Sequence, residues 1–173
     1  MVNEDIKDAI KILKLEDINT LQVTKIGEGA WHSVYKIQRI MEEDVVIRVK
    51  KKKAYGQLQE FDELELKSEY ESSKAYYELA NQCSADICPS FFTYFIDESM
   101  VFTIESYMGE GIKLQRLNSL QAYNLGKKLG QFFRAMHEKN SGIKGIGNLV
   151  WNGEQLEGSS HHDAAQIWQS DNN

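Results

Sequence analysis

The amino-acid sequence predicts an α+β fold in which five antiparallel strands form one sheet covered by a helix. A second long helix and a hairpin follow along the chain. Five short runs are rich in β-branched and aromatic residues, and two long stretches repeat apolar residues every three or four positions. Their order, three strands, a helix, two strands and a helix, suits a small antiparallel sheet with a covering helix.

Five strands are predicted, at residues 21–26, 33–40, 45–49, 91–96 and 101–106. Along the second strand, Val34, Lys36 and Gln38 share one face of the sheet. Tyr35 and Ile37 share the opposite face. The third strand reads Val-Val-Ile-Arg-Val, and its β-branched residues predict a central position.

Three helices are predicted, at residues 4–15, 57–82 and 119–139. The first places Ile6, Ile10 and Leu13 on one side of a short amphipathic helix. One face of the second helix is predicted from residues spaced by three or four, namely Leu64, Ser68, Glu71, Ala75 and Leu79. The apolar stripe of the third helix is predicted to be Leu125, Leu129, Phe132, Phe133 and Met136. After it, Asn152-Gly153 between apolar flanks predicts a hairpin.

Composition narrows the functional classes. The chain has 173 residues and a net charge of −6, and this acidic balance argues against a nucleic-acid partner. No stretch approaches the roughly 18 apolar residues of a membrane span, and no apolar leader core is present. Cys83 and Cys88 lack the spacing of a metal site, so we expect reduced thiols in a cytoplasmic protein. The run Lys50–Lys53 is expected to be a solvated strand end or loop.

Three features carry the functional argument. Gly27-Glu28-Gly29 lies in a turn between two strands, where glycine lets backbone N–H groups approach a phosphate closely. Arg48 places a charge inside an apolar strand, which is costly unless the charge is paired. Glu71 lies where the next helix should carry an apolar residue. Each alone has an ordinary explanation: a tight hairpin, an outward-facing arginine, a solvated helix edge.

Together, these features resemble the nucleotide clamp of the protein kinases. Residues 25–36, Lys-Ile-Gly-Glu-Gly-Ala-Trp-His-Ser-Val-Tyr-Lys, are similar to the glycine-rich loop and its following strand. Residues 46–49, Val-Ile-Arg-Val, resemble the V-A-I-K strand, with Arg48 in place of lysine. His32 replaces the third glycine of the loop.

These departures favour the aminoglycoside and choline phosphotransferase branch, in which a looser loop and a strand arginine are tolerated. Two further segments fit that branch better than the protein kinases. Residues 104–110, Ile-Glu-Ser-Tyr-Met-Gly-Glu, resemble its strand-to-hinge sequence, and residues 125–137 resemble the helix after the hinge. The resemblance covers roughly residues 20–140. It implies a nucleotide-binding N-lobe at 1–107, and a hinge with part of a C-lobe at 108–173.

The resemblance also implies roles for individual residues. Gly27, Gly29 and Ser33 would lie over the phosphates of ATP. The backbone of Glu105 and Tyr107 would bind the edge of the adenine ring.

Arg48 would contact the α- and β-phosphates and pair with a carboxylate of the following helix. Glu71 is the first choice for this carboxylate, and Glu69 is the alternative. Mg²⁺ is expected only where residues outside this chain complete the site, because no metal-binding aspartate motif follows.

The residues that perform phosphoryl transfer in that family are missing. His161-His162-Asp163 satisfies H-x-D, but Trp168 stands where H-x-D-x-x-x-x-N requires asparagine. The resemblance therefore implies either the front part of an enzyme that transfers a phosphate from ATP to a small hydroxylated acceptor, or a naturally shortened relative of such an enzyme, inactive alone in both cases. Two alternatives stay open: a non-catalytic regulatory module that binds a nucleotide or a protein, and an unrelated α+β protein with a chance Gly-x-Gly.

A partner follows from the predicted third helix. Its apolar stripe would normally pack against the rest of a larger lobe, and an exposed stripe of this kind usually marks an interface. We therefore expect self-association through residues 119–139, by a homo-oligomer or an exchanged C-terminal part.

Overall fold

The computed structural model describes residues 4–13 and 21–160. Three helices are described: α1 (Glu4–Ile12), α2 (Glu63–Cys83) and α3 (Ser119–Glu138). A 3-10 turn, Leu114–Arg116, precedes α3. Nine strands are described along the same residues: β1 (Gln22–Glu28), β2 (His32–Gln38), β3 (Val45–Lys50), β4 (Lys53–Ala54), β5 (Gln57–Leu58), β6 (Phe92–Asp97), β7 (Met100–Ser106), β8 (Ile146–Trp151) and β9 (Leu156–Ser160).

Five of the strands form one antiparallel sheet in the order β1-β2-β3-β7-β6. This confirms the α+β class and the central position of β3, whereas the kinase-like identity stays a prediction. The other strands pair locally, β4 with β5 and β8 with β9.

One face of the sheet packs against α1. Ile6 and Ile10 of the helix are buried against Ile37, Ile47 and Phe102 of the sheet. Burial of each such side chain stabilises the fold by roughly 1.5–3 kcal/mol. The predicted alternation of β2 is confirmed, because Tyr35 and Ile37 lie in this core while Lys36 does not.

The other face packs against the first part of α2. Leu66 and Tyr70, one turn apart, lie against Val101 and the partly buried residues of β6. The predicted buried face of α2 is therefore wrong at its start, since Leu64 is 61% exposed.

The start of α2 also differs from the prediction. Residues 53–58 form the β4–β5 ribbon, and both turn residues, Tyr55 and Gly56, have positive φ values of 52° and 79°. Helical backbone cannot pass through two such residues. The helix begins after Asp62, whose side chain accepts a hydrogen bond from the Glu65 N–H at 2.9 Å and caps the first turn.

The remaining elements follow local signals. Asn118 and Gln121 form a reciprocal capping box at the start of α3. In this helix Phe132 is buried, whereas Leu129 and Phe133 of the predicted stripe are exposed. The predicted hairpin at Asn152 is confirmed as β8–β9, with the Asn152 side chain accepting two backbone N–H groups of the turn.

The chain divides into two compact units. The first holds Met1–Glu71 and Pro89–Tyr107, and includes α1 and the five-stranded sheet. The second holds Ser72–Cys88 and Met108–Asn173, and includes α3 and the β8–β9 hairpin. Of the helices in the described part of the chain, none has the length and hydropathy needed to cross a bilayer.

Candidate functional site

A single row of paired residues crosses the sheet and contains two of the predicted site residues. Gly27 of β1 lies opposite Val34 of β2, which lies opposite Arg48 of β3. Arg48 in turn lies opposite Thr103 of β7, and Thr103 lies opposite Tyr94 of β6. Directly paired residues project to the same face of a sheet. The structure therefore places the first glycine of the turn and the strand arginine on one face, in one row.

Arg48 is held by a carboxylate of the neighbouring strand. Its Nε and Nη2 atoms donate to Oε1 of Glu105 at 2.9 Å and 2.5 Å. The Arg48 side chain is 45% exposed, whereas that of Glu105 is only 5% exposed. A buried carboxylate thus holds a guanidinium group that stays open to solvent.

This pairing corrects the prediction that a helix acid would hold Arg48. Glu71 instead accepts a hydrogen bond from the Tyr94 hydroxyl at 2.5 Å. Glu69, the alternative, is exposed on α2. The reason is geometric: α2 turns Leu66 and Tyr70 towards the sheet, which places Glu71 over β6 rather than over β3. The side chain of Glu105 was not predicted, because the resemblance assigned only its backbone.

Two buried hydroxyl groups lie close to this row. Tyr70 Oη and Thr103 Oγ1 have no hydrogen-bond partner within the described residues. The Tyr70 ring packs against the Tyr94 ring, with centroids 5.4 Å apart. Burial, followed by the charge of Glu69, raises the pKa of Tyr70 well above its usual range. The Tyr70 hydroxyl therefore stays protonated at neutral pH.

The glycine turn is closed by hydrogen bonds. The Gly29 N–H donates to the His32 carbonyl at 2.9 Å, and Lys51 donates through Nζ to the Gly29 carbonyl at 2.8 Å. Glu28 forms ion pairs with Lys25 and Lys51. These two ammonium groups, Lys25 first, lower the pKa of Glu28 to about 2. The turn is thus a short, charged hairpin, and sequence reasoning missed the contribution of Lys51.

Ser33, predicted to lie over the phosphates, is on the opposite face of the sheet from Arg48. It precedes Val34, and neighbouring strand residues project to opposite faces. Its side chain is buried on the α1 side, with the residue only 8% exposed. Ser33 therefore cannot join a site built around Arg48.

The predicted hinge residues are already engaged. The Tyr107 N–H donates to the Asp44 carbonyl at 3.0 Å. Lys36 lies 4.0 Å from the centre of the Tyr107 ring and forms an ion pair with Asp44 at 2.9 Å. The backbone N–H of Tyr107 would have to leave Asp44 to meet an adenine edge. Glu105 lies inside β7 between β3 and β6, opposite Val46 and Phe92.

A cavity of about 510 Å³ lies in the first unit, at the end of the sheet where β3 leaves and β7 begins. All four residues of the run Lys50–Lys53 line it. Lys50 lies over the Trp31 ring, 5.6 Å from its centre, and Lys51 binds Glu28. Only Lys52 and Lys53 are the exposed lysines that the sequence predicted.

His32, at the end of the glycine turn, has a shifted pKa. Burial, followed by the charges of Lys50 and Arg48, lowers the pKa of His32. Within residues 4–13 and 21–160, no three His, Cys, Asp or Glu side chains lie together as metal ligands would. The His161-His162-Asp163 triplet lies outside the described residues.

The chain was compared with known proteins. No protein-family model matches it, and the comparison with curated proteins gives no match either.

Proposed function

We propose that this chain contains the nucleotide-binding lobe of a kinase-like phosphotransferase of the aminoglycoside and choline phosphotransferase type. The observation that carries the proposal is the row in which Gly27 and Arg48 share a face, with Arg48 held by buried Glu105. The five-stranded antiparallel sheet, with a helix between its third and fourth strands, supports the same assignment.

The arrangement suits a phosphate group because Arg48 is both fixed and open. Two of its donors are committed to Glu105, while Nη1 carries no hydrogen bond to a described residue. A guanidinium whose orientation is already set loses little conformational entropy when it binds an anion. Because Gly27 has no side chain, no side-chain atom projects from the sheet at that end of the row. The phosphates of ATP would lie across these positions.

The activity that we propose for the complete enzyme is transfer of a phosphate from ATP to a small hydroxylated acceptor. In this scheme the chain binds the nucleotide, and residues outside it supply the acid–base aspartate and the Mg²⁺ ligands. The chain alone would then bind without turnover. The second candidate is a regulatory module that binds a nucleotide without chemistry. Cys83 and Cys88, both free thiols, suit the cytoplasmic location that we propose.

The test is a Mg·ATP titration followed by the fluorescence of Trp31, which lies in the glycine turn. Trp151 and Trp168 are first replaced by phenylalanine so that the signal comes from one side chain. We expect saturable quenching by ATP, and an affinity about tenfold or more lower in Arg48→Ala, because a charged hydrogen bond contributes about 1.5–3 kcal/mol. Arg134→Ala, which removes an exposed arginine of α3, is the matched control and should leave the affinity unchanged.

Adenosine provides the second arm of the test. Because Arg48 is proposed to meet phosphates, Arg48→Ala should weaken ATP binding and leave adenosine binding as it was. No response to ATP at millimolar concentration, or equal losses for ATP and adenosine, would refute the nucleotide assignment. Phosphate transfer to an acceptor mixture by the chain alone would overturn only the expectation that it is inactive.

A further inference from the structure

A histidine lies beside two cations on the face of the sheet that carries Arg48. His32 begins β2 directly opposite Lys50 of β3, and Val34, two residues later, lies opposite Arg48. Paired residues, and residues two apart along one strand, project to the same face of a sheet. The imidazole, the ammonium and the guanidinium therefore share one face.

The positive charges on this face act on the imidazole. Burial first, and then the charges of Lys50 and Arg48, lower the pKa of His32 from its usual value of 6.5, so the imidazole is mostly neutral at pH 7. Lys50 forms no ion pair within residues 4–13 and 21–160, and its ammonium lies 5.6 Å from the centre of the Trp31 ring. Like charges on neighbouring positions of one face are unfavourable.

The nearby carboxylates do not offset this charge. Glu28 lies opposite Ser33, on the other face of the sheet, and forms an ion pair with Lys51. Glu105 is buried and already binds Arg48. An anion lying across the shared face would relieve the repulsion that these carboxylates leave in place.

The backbone of His32 sets where such an anion would lie. The His32 carbonyl accepts a hydrogen bond from the Gly29 N–H at 2.9 Å and so closes the glycine turn. The imidazole thus projects from the foot of the turn, next to the row of Gly27 and Arg48.

We infer that His32 is a phosphate-binding residue beside Arg48 and Lys50, and that it takes up a proton from solvent when a polyphosphate binds. The inference rests on the proposed phosphate site. Because the bound anion favours the protonated imidazole, the pKa of His32 is higher in the complex than in the free protein. By linkage, the affinity gained from His32 is absent above the pKa of the complex and is complete below the pKa of the free protein.

The test uses inorganic triphosphate, which presents three phosphate groups without a base or a sugar. NMR follows the imidazole signals of His32 in the full chain through a pH titration, with and without this probe. We expect the probe to raise the pKa of His32. Sodium chloride at the same ionic strength is the control, because salt screening alone weakens the repulsion, and it should raise this pKa less. The signals of His137, which belongs to the second unit, should not respond to the probe.

Two variants identify the groups involved. His32→Gln keeps a neutral hydrogen-bond donor and removes the titrating group. The affinity for inorganic triphosphate should fall less than about twofold in this variant at about pH 8 and about tenfold at about pH 5.5, where the histidine is charged. Comparing the variant with the parent at each pH cancels the ionisation of the probe itself. His137→Gln is the matched control and should match the parent at both pH values. Lys50→Gln leaves His32 in place and should raise its pKa in the free protein.

Two results would overturn the inference. The pKa of His32 could respond to inorganic triphosphate no more than to sodium chloride. Alternatively, His32→Gln could lower the affinity equally at both pH values, which would exclude proton uptake even if ATP binding depends on Arg48. A proton-linked response to inorganic triphosphate, with no response to ATP at millimolar concentration, would support the inference and refute the nucleotide assignment alone.

Discussion

Removal of Arg48 should destabilise the fold, because the carboxylate that holds it, that of Glu105, is buried. The Glu105 side chain is 5% exposed and accepts both hydrogen bonds of the pair through one oxygen. Arg48→Met keeps much of the apolar stem of the side chain and deletes the guanidinium. The variant therefore isolates what the charge contributes to Glu105.

The expected loss in the free energy of unfolding follows from the exposed fractions of the Arg48 and Glu105 side chains. Breaking a fully buried ion pair by removing one partner costs about 3–5 kcal/mol. The Arg48 side chain is 45% exposed, so water can enter the vacated space and hydrate the remaining carboxylate. We therefore expect a loss of about 2 kcal/mol in the free energy of unfolding. Glu105→Leu should cost less, about 1 kcal/mol, since the arginine left behind can turn to solvent.

Urea unfolding followed by circular dichroism measures these losses. With a slope of about 2 kcal/mol per molar urea, Arg48→Met should lower the midpoint by about 1 M. The double variant Arg48→Met/Glu105→Leu should be more stable than the sum of the single losses predicts, by at least about 1 kcal/mol. Arg134→Met, which breaks an exposed pair with Glu138, should change stability by less than about 0.5 kcal/mol.

The reasoning would be refuted by either of two results. A loss below about 0.5 kcal/mol for Arg48→Met would show that Glu105 does not depend on the guanidinium. Strictly additive losses in the double variant would show that the two side chains act independently.

Three further predictions concern other parts of the chain. The Glu28 carboxyl should titrate near pH 2 by ¹³C NMR, and its pKa should rise in Lys25→Met. Because this pKa is lowered in the folded state, the stability that Glu28 contributes is present above its unfolded pKa and is lost as the pH falls towards 2. An ordinary pKa near 4.5 would contradict the ion pairs. Gly158→Ala should strongly destabilise the β8–β9 hairpin, since a Cβ there would lie 2.3 Å from the Ile146 nitrogen. Gly130→Ala, on the open surface of α3, should instead stabilise the protein by up to about 1 kcal/mol. Thermal unfolding that ranks the two variants the other way would exclude this packing. If exposed Phe133 belongs to a self-association surface of α3, Phe133→Glu should reduce the mass measured by light scattering at tens of micromolar, and a parent protein that is already monomeric there would rule the surface out.

Local patterns predicted the elements well, because most strands and helices have a recognisable pattern within a few consecutive residues. The alternation of β2 and the β-branched run of β3 were sufficient to assign faces and a central position. The exception was the start of α2, where the helical pattern was extended through Tyr55-Gly56. Two consecutive positive φ angles, which apolar spacing does not reveal, formed a hairpin there instead.

Side-chain partners were predicted less well. Pairing Arg48 with Glu71 required the rotation of α2, and that rotation depends on which side chains fit against β6 and β7. Leu66 and Tyr70 occupy those contacts and leave Glu71 to Tyr94. The sequence signal for Glu105 was a charged residue inside an apolar strand, which is the same kind of signal that identified Arg48.

Most of the elements, the central strand and the charge inside it could be predicted from the amino-acid sequence, since these depend on residues that are neighbours along the chain. The strand order, the shared row of Gly27 and Arg48, and the position of Ser33 on the other face beside the lysine-lined cavity depend on long-range packing. Local patterns do not reveal them, because a shift of one residue in strand register moves every side chain to the opposite face. Register is set by long-range packing, here of α1 on one face and α2 on the other.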